Sequence, residues 1–148
     1  IIAHQKRQAA AFAKLFRQRD IEKHYHVIVQ GCFPEFTMTI EEAIDDKSAC
    51  SHVKRLAYDE GRDCSLVQVV IESGRKHQIR RHLAARGYPV VGDRLYGKAD
   101  NGQEGHGQQT EAQPSVDLQL AAVYLAFSCH ESGEKKIYHL PQALMPKL

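Results

Sequence analysis

The spacing of apolar positions changes along this chain, and each change marks an element. In residues 4–19, HQKRQAAAFAKLFRQR, Ala9, Phe12, Ala13 and Phe16 share one helical face. This predicts an amphipathic helix with Lys6, Arg7, Lys14, Arg17 and Arg19 on its solvated side. Residues 24–30, HYHVIVQ, alternate and then become β-branched before Gly31, which is the pattern of a strand. A turn at Phe33-Pro34-Glu35 leads into a short strand over Phe36–Ile40, and the acidic run 41–48 reads as a loop. Residues 52–58 and 65–72 are strand-like, and the Asp and Gly residues of 59–63 between them predict a β-hairpin.

After the hairpin the period lengthens. Ile79 and Leu83 lie four apart, so a short helix is expected from near His77. Gly87 stands where a helix end requires a left-handed residue, and Pro89 prevents continuation. Val90–Val91 then reads as a short strand before a Gly92–Asp93 turn. Residues 98–115 are polar, rich in Gly and Gln and without period, which predicts a flexible insertion. Leu118, Leu120, Ala122 and Tyr124 alternate within 117–128, although the first half of that segment also fits a helix. A Ser132–Gly133 turn returns 135–140 antiparallel, and an irregular tail follows from Pro141. No internal repeat is visible. The sum is one α+β domain over residues 1–148, with a mixed, mainly antiparallel sheet and helices packed on it.

Composition narrows the partners. The net charge is only +2, so affinity for a polyanion must come from uneven placement of charge. That placement is found at 74–97, GRKHQIRRHLAARGYPVVGDRLYG, where Arg75, Lys76, His77, Arg80, Arg81, His82 and Arg86 occur with no acid among them. A cationic segment fixed by its own apolar anchors suits nucleic acid. Cys32, Cys50, Cys64 and Cys129 form no C-x-x-C pair, which favours reduced thiols and a cytoplasmic setting. No apolar run is long enough for a membrane span, and the chain opens on no signal peptide. Walker and dinucleotide glycine loops and H-E-x-x-H are missing from the sequence. His24 and His26 flank Tyr25, but no Cys or carboxylate is evidently placed to complete a metal site, so none is expected.

The 74–97 segment resembles the third motif of the RluA-like RNA pseudouridine synthases, G-R-x-H-Q-[I/L/V]-R-x-H-L, then G-x-P, then G-D-x-x-Y-G. Gly74, Arg75, His77, Gln78, Ile79, Arg80, His82, Leu83, Gly87, Pro89, Gly92, Asp93, Tyr96 and Gly97 all fall in place. The family's second motif, K-x-Y-x-A-x-V-x-G, is matched by Lys23, Tyr25, Val29 and Gly31, with Val27 where alanine is usual. The Ala-rich helix and the closing strands are also similar, so the likeness covers most of the chain.

The family's first motif, H-R-L-D-x-x-T-S-G, supplies the aspartate nucleophile, and it has no counterpart here. Ile1-Ile2-Ala3 resembles the strand that follows that motif, and Ile1 is not an initiator methionine. The expectation is therefore a fragment of the catalytic domain, with the aspartate shortly before Ile1 and the fragment alone inactive. Asp63, in Gly61-Arg62-Asp63, lies downstream of Tyr25, against the family's order of aspartate, tyrosine, arginine.

The resemblance implies roles for the remaining residues. Tyr25 would contact the target base and assist proton transfer at C5, and Arg80 would pair with the missing aspartate. Arg75, Lys76 and Arg86 suit RNA phosphates, with Arg81 and His82 on the same basic surface. His77 and Gln78 would bond either the RNA backbone or the local chain. Ile79 and Leu83 would wall the uracil pocket or the core beneath it, and Asp93 would cap the turn to Leu95 and Tyr96. The family needs no cofactor. The implied partner is ribosomal or transfer RNA, and nothing indicates a membrane or an obligate protein partner. The competing reading is a non-catalytic RNA-binding module, natural or excised, that kept the RNA surface and lost the nucleophile.

Overall fold

The computed structural model describes residues 21–97, 116–129 and 132–148. The helix expected over 4–19 and the insertion expected over 98–115 lie outside these residues. Six strands form one sheet: β1 (Ile21–Gln30), β2 (Met38–Glu41), β3 (Cys50–Asp59), β4 (Cys64–Ile71), β5 (Leu120–Ser128) and β6 (Lys135–His139). Their order is β2-β3-β4-β1-β5-β6, and every pairing is antiparallel. The sheet is thus antiparallel among the described residues rather than mixed. One α-helix, α1 (Gln78–Ala85), is found among the described residues, so the expected packing of several helices on the sheet rests there on this one.

The hairpin at 59–63 joins β3 to β4 as expected, with the Asp59 carboxylate accepting from the backbone N–H of Gly61 at 2.9 Å. The strand expected over Phe36–Ile40 begins only at Met38, and Phe36 is exposed. The acidic loop turns at Asp45 and Asp46, both at positive φ, and still buries Ile44. Val90 makes a single bridge to Val29 in place of a strand. The proline before it offers no N–H and Gly92 turns immediately after, so no room remains for a ladder.

Alternation along the strands puts Val27, Val29, Val53, Val67, Val69 and Ile71 on the face covered by Ile79 and Leu83 of α1. Val27, Val53, Val67, Val69 and Leu83 have no solvent exposure. Helix α1 stops as the sequence predicts. Gly87 takes φ 83°, and its N–H reaches the Ala84 carbonyl at 2.9 Å. Gly92 takes φ 78° with the Asp117 carbonyl oxygen 2.3 Å from where a Cβ would stand, so only glycine fits between the turn and that segment.

In β5 the simple alternation of Leu118, Leu120, Ala122 and Tyr124 fails. A bulge opposite His24 and Tyr25 inserts one residue, so Tyr25 faces Ala122 while His24 faces Tyr124. Val123 is buried, Ala122 is exposed, and Tyr124 stacks on His24 at 4.7 Å. The Gly133 turn closes the β5–β6 hairpin, with the Gly133 N–H donating to the Cys129 carbonyl at 2.8 Å.

Candidate active-site cleft

Strand β1 and the N-terminal end of α1 enclose a cleft of 340 Å³. Lys23 and Tyr25 project into it from β1, two apart on one face, and Ile71 closes β4 beneath them. Arg75, His77, Ile79 and Arg80 line the opposite side, and Leu120 completes the wall. Three of these lining residues are cationic and none is a carboxylate. Burial lowers the Lys23 ammonium below its ordinary value and raises the Tyr25 phenol above its own. At neutral pH the Tyr25 hydroxyl therefore keeps its proton and offers it as a donor.

His77 enters α1 in the left-handed region, at φ 54°. That geometry turns its ring toward Tyr96, whose hydroxyl lies 3.1 Å from Nδ1. Arg80, one turn on, is held over the Tyr96 ring at 5.1 Å. Its Nε and Nη2 grip Asp93, at 2.8 and 2.6 Å. Among the described residues the carboxylate on Arg80 is thus Asp93 of the same motif, and Nη1 has no partner there. Asp93 also accepts from the backbone N–H groups of Leu95 and Tyr96, as expected of a turn cap. The Arg80 guanidinium, with those two N–H groups, holds Asp93 down at about 2 against the opposing effect of its burial.

Two polar residues of the basic segment point inward: His82, expected on the RNA surface, and Gln78, which takes the local-chain alternative of its two expected roles. Gln78 is buried: its Oε1 accepts from the Ser73 hydroxyl and the Arg75 N–H, and its Nε2 donates to the Cys50 carbonyl and the Ser51 hydroxyl. His82 is also buried, with Nδ1 2.9 Å from the Ser51 hydroxyl and Nε2 3.0 Å from the Glu42 carbonyl. The Glu42 carbonyl can only accept, so Nε2 carries the proton and Nδ1 accepts from Ser51. This relay fastens α1 to β3 and to the 42–44 loop, and it leaves neither side chain a polar atom for a polyanion. Leu83 is likewise core and does not reach the cleft, while Ile79 does both.

The basic residues divide by partner. Arg75 donates to the Ser48 carbonyl at 3.1 Å, and Arg81 pairs with Asp45 at 2.9 Å. Lys76 and Arg86 are exposed, and their side chains make no hydrogen bond or ion pair among the described residues. Asp63 sits at the hairpin turn, accepts from the Tyr58 hydroxyl at 2.9 Å, and does not line the cleft. Sequence reasoning had not placed Lys23 at the site. Its period-two spacing from Tyr25 is the signal that locates it there.

A sequence profile described as RNA pseudouridylate synthase matches residues 1–85. The chain belongs to that family. RNA pseudouridine synthase 5 of Arabidopsis thaliana is 38% identical over 95 residues, covering 53% of this chain and 26% of the plant protein. An uncharacterized Caenorhabditis elegans protein is 32% identical over 138 residues, covering 84% of this chain and 31% of its own length. The chain thus spans about a quarter to a third of these curated relatives. In three dimensions it is similar to human RNA Pseudouridylate Synthase Domain Containing 1, at TM-score 0.74 and 24% identity, covering 97% of this chain and 64% of that one. This agreement carries the pseudouridylate synthase fold to the described sheet and helix.

Proposed function

We propose that the protein isomerises uridine to pseudouridine in RNA, ribosomal or transfer, and that the cleft between β1 and α1 receives the extruded base. The observation that carries this reading is the cleft itself. Its volume suits a small ligand, Tyr25 offers an aromatic face and a protonated hydroxyl, and Lys23, Arg75 and Arg80 give it positive potential. In the reaction the N1–C1′ bond breaks, the base turns, C5 bonds to C1′, C5 loses its proton and N1 gains one. No redox step occurs, so no cofactor is required.

The reaction needs a carboxylate at the sugar or base, and none of the described lining residues supplies one. We infer that it comes from a segment preceding β1 and meets the free Nη1 edge of Arg80, which leaves Asp93 in place as the brace. Tyr25 positions the base and shepherds the C5 proton. Arg75, Lys76 and Arg86 hold phosphates, contributing affinity without sequence reading. His77 and Arg81 border the same surface. The four cysteines, none of them in a disulfide, fit the proposed cytoplasmic setting.

The test is tritium release from RNA carrying C5-tritiated uridine. The full-length protein is expected to release tritium. Tyr25→Ala should bind RNA with little change and release none, and the 148-residue chain alone should bind without turnover. Turnover by the chain alone would overturn the upstream carboxylate. Binding without turnover by the full-length protein would favour the non-catalytic RNA-binding reading.

A further inference from the structure

We propose that Cys50, His52 and Glu72 form a binding site for a divalent transition-metal ion of the zinc type. Cys50 and His52 lie two apart on β3 and so share a face. Glu72 follows β4 and is drawn alongside by its N–H, which donates to the Cys50 carbonyl at 3.2 Å. The Cys50 Sγ is 3.6 Å from the His52 Nε2, which is 2.8 Å from the Glu72 Oε1, and all three ligand atoms lie within 4.8 Å of one another. A tetrahedral zinc ion, with sulfur at ~2.3 Å and nitrogen at ~2.0 Å, sets those two atoms about 3.5 Å apart. The sulfur–nitrogen edge is therefore already at its bound length. The nitrogen–oxygen edge must widen by about 0.5 Å, and the half-exposed Glu72 side chain is free to do so.

The other imidazole nitrogen supplies the second observation. His52 Nδ1 lies 3.1 Å from the Thr39 hydroxyl, directly across on β2. A ligating histidine is typically oriented through its second nitrogen in this way. A hydroxyl both donates and accepts, so Thr39 serves either tautomer. Without the ion, Nε2–H donates to Glu72 and Nδ1 accepts from Thr39. With it, the proton resides on Nδ1 and is donated to Thr39, and the Nε2 lone pair meets the metal. Cys50 binds as thiolate and its proton leaves to solvent.

The surroundings favour a cation. Cys50 and Glu72 line a cleft of 400 Å³ shared with Glu41 and Glu42. A sulfur, nitrogen and oxygen donor set selects zinc over magnesium or calcium. The site also adjoins the buried relay. The Cys50 N–H donates to the Ser73 hydroxyl and the Cys50 carbonyl accepts from Gln78, so an ion here would brace the junction from which α1 hangs.

The test is titration of chelator-stripped protein with Co2+ by absorbance and with Zn2+ by calorimetry. The expected result is saturable binding of one ion per chain with a thiolate-to-cobalt charge-transfer band. That band should vanish in Cys50→Ser and persist in Cys32→Ser and Cys129→Ser. Thr39→Val should weaken Zn2+ by about 10–100-fold. Should Cys50→Ser fail to fold, Glu72→Gln keeps the test open, because its exposed side chain is dispensable to the core, and it should abolish the rise in Tm that Zn2+ gives the wild type. Absence of saturable binding, a band surviving Cys50→Ser, or an equal Tm rise in Glu72→Gln overturns the site.

Discussion

Arg80 holds Asp93 side-on, and the side chain of that carboxylate has no solvent exposure. The pair ties α1 to the 93–96 turn and keeps Tyr96 beneath the guanidinium. An arginine at the mouth of the cleft is therefore fixed in direction before any substrate arrives.

The pair sets the acid limit of stability. Asp93 titrates at about 2 when folded against an ordinary value of 3.8, first because of Arg80. A depressed carboxylate contributes fully above its unfolded value and loses that contribution as pH falls through the folded one, here from about pH 4 to about pH 2. Denaturant unfolding across that range should show the loss in wild type and a flatter profile in Asp93→Asn. Asp93→Ala should cost about 3 kcal/mol near neutrality, since Arg80 is left without its partner. Identical acid profiles for wild type and Asp93→Asn would remove Asp93 from this account.

The buried relay and the exposed cations should separate stability from RNA affinity. Gln78→Ala removes four buried hydrogen bonds, to the Ser51 and Ser73 hydroxyls, the Cys50 carbonyl and the Arg75 N–H, and should destabilise by about 2–3 kcal/mol. Lys76→Ala and Arg86→Ala should leave stability within about 0.5 kcal/mol. Each should weaken RNA binding and lower the salt slope by about 1. Filter binding over a salt series, beside denaturation, reads both effects. A Gln78→Ala chain of wild-type stability would count against the relay.

Leu83 and Ile79 differ in what they touch. Leu83→Ala, at a site without exposure, should cost about 2–5 kcal/mol and leave RNA affinity per folded molecule unchanged. Ile79→Ala should cost stability and also reshape the cleft wall. Equal effects of both on RNA affinity would show that Leu83 reaches the base.

Tyr25 should remain a phenol throughout the working range. Burial raises it above the ordinary 10.0, so its ionisation belongs above about pH 10. The ultraviolet difference between wild type and Tyr25→Phe should contain no tyrosinate component below that value. A component near neutrality would make Tyr25 a base rather than a proton donor.

The sequence by itself determined the elements whose signals are local. The β3–β4 hairpin follows from Asp and Gly between apolar runs, the end of α1 from Gly87, and the Asp93 cap from its place before Leu95 and Tyr96. The motif order around Tyr25 and Arg80 was equally legible. Tertiary structure alone decided which polar groups meet. A motif records that Gln78, Arg80 and His82 occur together, but burial depends on how α1 lies on the sheet. Two of these turn into the core and the third is captured by Asp93, thirteen positions away. The bulge opposite His24 and Tyr25 reverses the facing of β5, because one inserted residue flips every side chain beyond it. Cys50, His52 and Glu72 carry no shared spacing that a sequence displays. Strand pairing brings them together, and pairing is a long-range choice fixed by the core as a whole.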